Sequence, residues 1–354
     1  MHRLVVVLVA LAVIALAPEA VLAQASKSRV TSASNAKATA ARTAAGKATK
    51  TMATRSRAPV AAPARPSEGQ MAGLHRTDDP LYLKSSVALV VNQDTNEVLF
   101  QKNPHAVLPI ASITKLMTAL ITVDAGLALD ETLEVERSDR TIDRMRSWLN
   151  PGVRLTRGQA LHLALMSSEN HAAHLLGRTY PGGIEAAVQA MKAKAQLLGM
   201  HDTNFADPTG LSAENRSSPR DLVKLVNAAY QYPVLREYST SSELELPIGK
   251  RVVRYGSTNG LTSNPEWEIG LQKTGYISAA GRCLVMQAVI EGQRVVVVLL
   301  DSVGKYSRIG DAQRIRQWLE ANKPASDGSS GLTSADQPRG RTGADAAAVS
   351  APAV

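Results

Sequence analysis

The 354-residue chain contains one cysteine and two phenylalanines, only 4% of it is aromatic, and no apolar run approaches the thickness of a bilayer. A single cysteine excludes an intrachain disulfide framework and a zinc site built on paired thiolates. Without a run of about 18 apolar residues, no segment reads as a membrane-spanning helix. Acidic residues are missing from one window: Gln24 to Pro66 holds nine Lys or Arg and no Asp or Glu, whereas Ser67 to Val354 carries 30 of each sign. The formal charge of +9 therefore belongs to one segment, and the rest of the chain is neutral. A nucleic-acid-binding domain needs its charge on a folded surface, so that class is set aside.

What is present divides the chain into four parts. His2 and Arg3 precede the apolar stretch Leu4–Ala17, which is followed by Pro18 and the small-residue site Val21-Leu22-Ala23. This is the pattern of a secretory signal over residues 1–23, and it predicts export without a transmembrane anchor in the mature chain. Residues 24–79 are rich in Ala, Ser, Thr, Lys and Arg and lack hydrophobic periodicity. They cannot bury enough apolar surface to offset their ordering entropy, and they read as a disordered basic linker. Its charge suits electrostatic contact with an anionic wall polymer or membrane surface. Residues 80–322 read as the folded body, and 323–354 as a disordered Gly/Ser/Ala/Pro-rich tail without an amphipathic helix.

Within the body, Ser86–Val91 and Glu97–Gln101 read as strands. Ile113, Leu116, Met117, Leu120 and Ile121 recur at helical spacing along Ser112–Ala125. Thr156 and Gln159 form a capping box for a helix running to about Met166. Further helices are predicted at Ile184–Leu198 and at Pro219–Tyr230, the second capped by Ser218 with proline in its first turn. Strands follow at Glu243–Pro247, Arg251–Tyr255 and Trp267–Leu271, then a hairpin of Cys283–Ile290 and Val295–Asp301, and last a helix at Ile309–Glu320. Strands at both ends with helices between them predict an α+β fold: one antiparallel sheet from both chain ends, flanked by helices, with a mainly helical insertion.

Three short motifs carry chemistry. Ser112-Ile113-Thr114-Lys115 is an S-x-x-K at the start of an apolar-striped helix, so serine and lysine share a face one turn apart. A serine hydroxyl is a weak nucleophile that needs a base, and a lysine amine serves if burial or a second cation removes its charge. Ser168-Glu169-Asn170 interrupts the helical pattern with polar groups, and Lys273-Thr274-Gly275 follows a strand. Each is weak alone: S-x-x-K recurs at Ser34–Lys37 and Ser302–Lys305, and S-x-N at Ser257–Asn259. The order S-x-x-K, S-x-N, K-T-G is specific, and it is the motif set of penicillin-binding proteins and class A β-lactamases. Two histidines, His171 and His174, share a helical face but lack a third ligand, so they read as packing residues, not a metal site. Cys283 reads as a small core residue.

On these motifs, and on Asp207-Pro208-Thr209-Gly210-Leu211 and Ala280-Gly281-Arg282-Cys283-Leu284, the chain resembles the low-molecular-mass penicillin-binding proteins, serine D-alanyl-D-alanine carboxypeptidases and endopeptidases, from about Leu81 to Leu319. The resemblance implies a β-lactamase/transpeptidase-like fold and a periplasmic enzyme. Its substrates would be peptidoglycan peptide stems, its covalent inhibitors β-lactams, and it would use neither metal nor cofactor. It implies that Ser112 attacks a D-alanine carbonyl, Lys115 takes its proton, Ser168 relays a proton to the leaving amine and Asn170 holds Lys115. Lys273 would supply positive potential that lowers the Lys115 pKa, and Thr274 would bind substrate. The N–H groups of Ser112 and Tyr276, the latter just after Gly275, would form an oxyanion hole. The texture is that of the endopeptidase branch, which cleaves D-alanyl–diaminopimelate cross-links. The carboxypeptidases resemble Asn-Arg-Asn-Gly-Leu where this chain has Ser257-Thr258-Asn259-Gly260-Leu261, which weakens trimming of pentapeptides as the alternative. A β-lactamase needs a deacylating glutamate that is missing between Glu185 and Glu214, and a non-catalytic wall-binding module leaves the three motifs unexplained.

Overall fold

The computed structural model describes residues 65–140 and 147–322. The predicted signal segment, the tail from 323 onward and most of the linker lie outside the described residues. The linker's end does not: Glu68–Met71 forms one helical turn capped by Ser67, and its Glu68 N–H donates to the Ala279 carbonyl at 2.9 Å. Residues 65–79, assigned to the linker from composition, thus contain ordered turns docked on the body; the capping box of Ser67 and Gln70 was the local signal for them.

Strands β1 (Ser85–Asn92) and β2 (Val98–Lys102) open the domain. A 3-10 turn at Ala111–Ile113 leads into α1 (Thr114–Asp124). Helix α2 (Arg157–His162) begins at the Thr156–Gln159 capping box and runs into a π-turn over Leu163–Ser167. Helices α3 (Asn170–Arg178), α4 (Gly183–Leu197), α5 (Pro219–Tyr230) and α6 (Pro233–Thr240) complete the insertion. A hairpin of β3 (Glu243–Ile248) and β4 (Arg251–Gly256) follows. Then come β5 (Glu268–Ile277), β6 (Gly281–Ile290), β7 (Gln293–Ser302) and the terminal helix α7 (Ser307–Ala321).

The main sheet is antiparallel with order β2-β1-β7-β6-β5, so the chain's two ends meet at its centre. Side chains alternate between its faces. Val87, Leu89 and Val91 with Val296, Val298 and Leu300 join the core shared with the helical insertion. Ala88, Val90, Val295, Val297 and Leu299 face α7, where Ala312 and Ile315 cover them. Burial on both faces explains why Val295–Leu300 reads as a continuous apolar run and not an alternating one. Asp311 of α7 ties the ends together by accepting from the N–H groups of Lys84 and Ser85 at 3.0 and 2.7 Å.

Helix α1 differs from the one-sided helix its spacing predicts. Every residue from Thr114 to Thr122 is buried, because α1 packs against α3, α4 and α5 on several sides. A helix wrapped by neighbours loses its polar face, and Lys115 is carried into the interior with it.

Candidate active site

Ser112 lies in the 3-10 turn and not in the α-helix proper, and its hydroxyl caps nothing. The turn is set by Ala111, whose φ of 49° lies in the left-handed region, costly for an L residue with a Cβ. Two close approaches hold it there. A Cβ on Gly210 (φ +82°) would sit 2.0 Å from the Ala111 carbonyl oxygen. A Cβ on Gly275 would sit 2.8 Å from the Ile110 oxygen and 3.2 Å from the Ser112 nitrogen. The nucleophile's backbone is therefore clamped between the Asp207–Leu211 loop and strand β5, and both glycines are there because nothing larger fits.

The loop owes its shape to Asp207. Its carboxylate accepts from the N–H groups of Thr209, Gly210 and Ser212 and from the Asn215 amide, at 2.6, 2.8, 3.0 and 2.6 Å. Burial alone would raise its pKa, but these bonds and the Thr209 hydroxyl outweigh it and hold the carboxyl below its ordinary value. Asp207 is thus spent on scaffolding and is not available as a base.

Lys115 Nζ donates to Ser112 Oγ at 2.7 Å, Asn170 Oδ1 at 2.7 Å and the Thr209 carbonyl at 2.6 Å. Three acceptors satisfy an ammonium. When the amine is neutral, one of these contacts must reverse. Neither an amide oxygen nor a backbone carbonyl can donate, whereas the Ser112 hydroxyl can. The geometry thereby offers Lys115 an O–H that it is able to withdraw.

Across the groove, Lys273 Nζ donates to Ser168 Oγ and to the Thr274 carbonyl, each at 2.9 Å. Ser168 is held in the left-handed region (φ 61°) at the end of the π-turn, between α2 and α3. Asn170 starts α3, capped by the Glu169 side chain. Lys115 and Lys273 are both fully buried. Burial first, then the charges of Lys115 and Arg308, push Lys273 far below the ordinary lysine range. The repulsion is mutual, so the pocket favours one ammonium over two. The resemblance implies that Lys273 lowers the Lys115 pKa; the direction the structure gives is for Lys273, which burial and the charge of Lys115 press down.

All eight residues singled out from the motifs belong to this groove or its strand. Ser112, Lys115, Ser168, Asn170 and Lys273 are linked by hydrogen bonds through two lysines, Thr274 Oγ1 lies 2.6 Å from Thr258 Oγ1, Gly275 abuts the nucleophile, and Tyr276 is exposed beside it with the Arg282 guanidinium 4.4 Å from its ring centroid. The structure adds Thr209, Gly210, Thr258 and Arg308. The Asp207–Leu211 motif pointed to the first two. Arg308 had no signal, because only the packing of α7 on β6 and β7 brings it near Lys273. His171 binds the Leu149 carbonyl at 3.1 Å and His174 binds Asp139 at 3.0 Å, so both serve packing and capping. Cys283 is buried in the core. Among the described residues, no group of three or more His, Cys, Asp or Glu is placed to hold a metal ion.

A five-stranded antiparallel sheet with a helical insertion, carrying two serines each hydrogen-bonded to its own buried lysine, defines a serine acyl-transfer enzyme of the DD-peptidase class. Residues 75–304 match the family of D-alanyl-D-alanine carboxypeptidases, peptidase S11, and the chain belongs to that family. It is 46% identical over 244 residues to a D-alanyl-D-alanine endopeptidase of Pseudomonas aeruginosa, covering 68% of this chain and 79% of that one. It is 41% identical over 267 residues to the D-alanyl-D-alanine endopeptidase of Escherichia coli, covering 75% and 86%. Among solved structures, the Streptomyces K15 DD-transpeptidase superposes with a TM-score of 0.63 at 25% identity, covering 68% of this chain and 98% of that one. The D-alanyl-D-alanine carboxypeptidase of Mycobacterium tuberculosis gives 0.64 at 26% identity, covering 70% and 94%. The chain is a serine DD-peptidase.

Proposed function

We propose that this serine DD-peptidase is an endopeptidase that hydrolyses D-alanyl–diaminopimelate cross-links of peptidoglycan in the periplasm, and that β-lactams acylate Ser112. The observation that carries the catalytic reading is the 2.7 Å contact between Lys115 Nζ and Ser112 Oγ: the hydroxyl can return a proton to a neutral amine, which the Thr209 carbonyl cannot. Ser112 Oγ attacks the D-alanyl carbonyl carbon as its proton passes to Lys115 Nζ. The carbonyl oxygen becomes an oxyanion facing the N–H groups of Ser112 and Tyr276, a kind of contact worth about 10²–10³ in rate per donor. Collapse breaks the C–N bond, and the leaving amine takes the proton that Lys115 withdrew, relayed through Ser168, whose oxygen accepts from Lys273; Lys115 is neutral again. Water then attacks the acyl-enzyme as Lys115 takes its proton, and the ester C–O bond breaks as Lys115 returns that proton to Ser112 Oγ, releasing the D-alanyl carboxylate and the free Ser112 hydroxyl.

Arg308 supports recognition of a carboxylate beside the scissile bond. Thr258 stands where the resembling carboxypeptidases have an arginine, but Arg308, buried under the same wall, brings a guanidinium to the neighbourhood of Thr258 and Lys273. The diaminopimelate centre joined to D-alanine bears such a carboxylate, as does a terminal D-alanine. The two endopeptidases above 40% identity favour the cross-link as substrate. Export fits the leading apolar segment, and among the described residues no helix is long and apolar enough to cross a membrane. The basic segment 24–66 suits contact with wall polymer or membrane surface. Incubating purified protein with cross-linked muropeptide dimers tests the reading: dimers should be converted to monomers in a penicillin-sensitive way. Release of D-alanine from monomeric pentapeptides with dimers left intact would overturn it in favour of carboxypeptidase activity.

A further inference from the structure

A pocket of about 390 Å³ opens beside Thr258, whose hydroxyl lies 2.6 Å from that of Thr274. Arg282, Lys305 and Arg308 line it together with Asn264 and Tyr306, and no carboxylate does. None of the three cations forms an ion pair among the described residues, although twelve other basic side chains do. Arg308 is buried with no hydrogen-bond partner for its Nε, and burial and the Arg282 charge press its pKa down. One Arg308 N–H donates to the Lys305 carbonyl at 3.4 Å, but Nε is unpartnered, and clustered cations without a facing carboxylate make a site that lacks its counter-charge. Arg282 and Lys305 are braced by aromatic rings, Arg282 over Tyr276 at 4.4 Å and Lys305 over Tyr306 at 5.1 Å, which limits their sway while leaving their charges toward solvent.

The two leaving groups open to a DD-peptidase differ in charge. Trimming a pentapeptide releases one D-alanine with a single carboxylate, which Arg308 can meet. Cleaving a cross-link releases a whole stem that brings further carboxylates past the first. We propose that Arg282 and Lys305 form a second anion subsite that binds these additional carboxylates of the leaving stem and so favours cross-linked dimers over single pentapeptides. This rests on the endopeptidase reading and assigns two specificity residues within it.

The test compares kcat/KM for a tetrapeptide–tetrapeptide dimer and a monomeric pentapeptide in wild-type protein, in the double variant Arg282→Gln/Lys305→Gln and in the charge-keeping variant Arg282→Lys/Lys305→Arg. The dimer-to-monomer ratio should fall about tenfold in the Gln variant, chiefly through KM, as expected for two partly exposed charges facing anions. It should persist in the charge-keeping variant. A dimer amidated at the carboxylates remote from the scissile bond should lose the same factor with wild-type protein and nothing further with the Gln variant. A ratio within twofold of wild type in the Gln variant, or monomer and dimer rates falling in step, overturns the subsite while leaving endopeptidase activity standing. Wild-type protein that takes penicillin but cleaves no dimer overturns the endopeptidase reading and the subsite with it.

Discussion

Replacing Gly275 by alanine probes the contact on which the nucleophile's position depends. The new Cβ would lie 2.8 Å from the Ile110 oxygen, 3.2 Å from Ala111 Cβ and 3.2 Å from the Ser112 nitrogen. The tightest of these partners is a backbone carbonyl, which cannot rotate aside as a side chain can. Strand β5 and the Ala111–Ile113 turn must separate, by roughly 0.5 Å if the closest contact relaxes to an ordinary distance. A misplacement of about 1 Å costs on the order of 10²-fold in rate, so acylation of Ser112 should slow by about 10- to 100-fold. Overpacking of this kind costs about 1–3 kcal/mol, or a Tm lower by about 2–10 °C for a domain of this size. Gly210→Ala should be worse for stability, because its Cβ meets the Ala111 oxygen at 2.0 Å and the residue sits at φ +82°. Left-handed strain there adds about 1–2 kcal/mol. Second-order acylation rates with a fluorescent penicillin, alongside thermal melts, separate the two effects. Gly275→Ala protein that is folded and acylated within twofold of the wild-type rate would refute the clamp.

Ser112→Ala should abolish covalent labelling, and Lys115→Met and Lys115→Arg should each slow acylation by about 10²–10⁴-fold, because an arginine keeps the charge but cannot serve as a base. Retained labelling in Lys115→Arg would remove Lys115 from the role of base. Asp139 is buried; burial opposes its charge, but bonds from His174 and Arg178 and the Glu136 backbone win and lower its pKa from 3.8 to about 2. A depressed pKa contributes stability that is present above about pH 4 and lost as pH falls toward 2, here about 2 kcal/mol. Urea midpoints for Asp139→Asn should therefore lie below wild type at pH 6 and approach it at pH 2.5, whereas a parallel offset across that range would deny the linkage. Burial pushes the Cys283 thiol up to about 12, so a thiol reagent at pH 8 should label it only after unfolding. Fast labelling of native protein would contradict its place in the core.

Local chemistry wrote much of this fold into the sequence. Helix α5 spans Pro219–Tyr230, as its proline, the Ser218 cap and the apolar spacing required. The capping box at Thr156 and the β6–β7 hairpin were legible for the same reason, since each is decided by residues a few positions apart. Helix α6 was not, because Pro233–Thr240 buries little more than Leu235 and Ser239 and offers too short a stripe. Strand β5 reads as ending at Leu271 but runs to Ile277. Its K-T-G lacks β-branched character beyond Thr274 and is held as strand by pairing with β6, the kind of long-range bond composition does not report.

The motifs identified the reacting side chains, since a serine and a lysine one turn apart can only meet if the turn forms. They left open how Lys115 is buried, which backbone acceptor holds it and which further cation flanks the groove. Tertiary packing decided these. Burial of α1 on several sides stripped Lys115 of water, the Asp207 loop delivered the Thr209 carbonyl as an acceptor, and α7, packed on β6 and β7, carried Arg308 near enough for its charge to bear on Lys273. Each effect is electrostatic and set by distances between residues far apart in the chain, which no spacing along the sequence encodes.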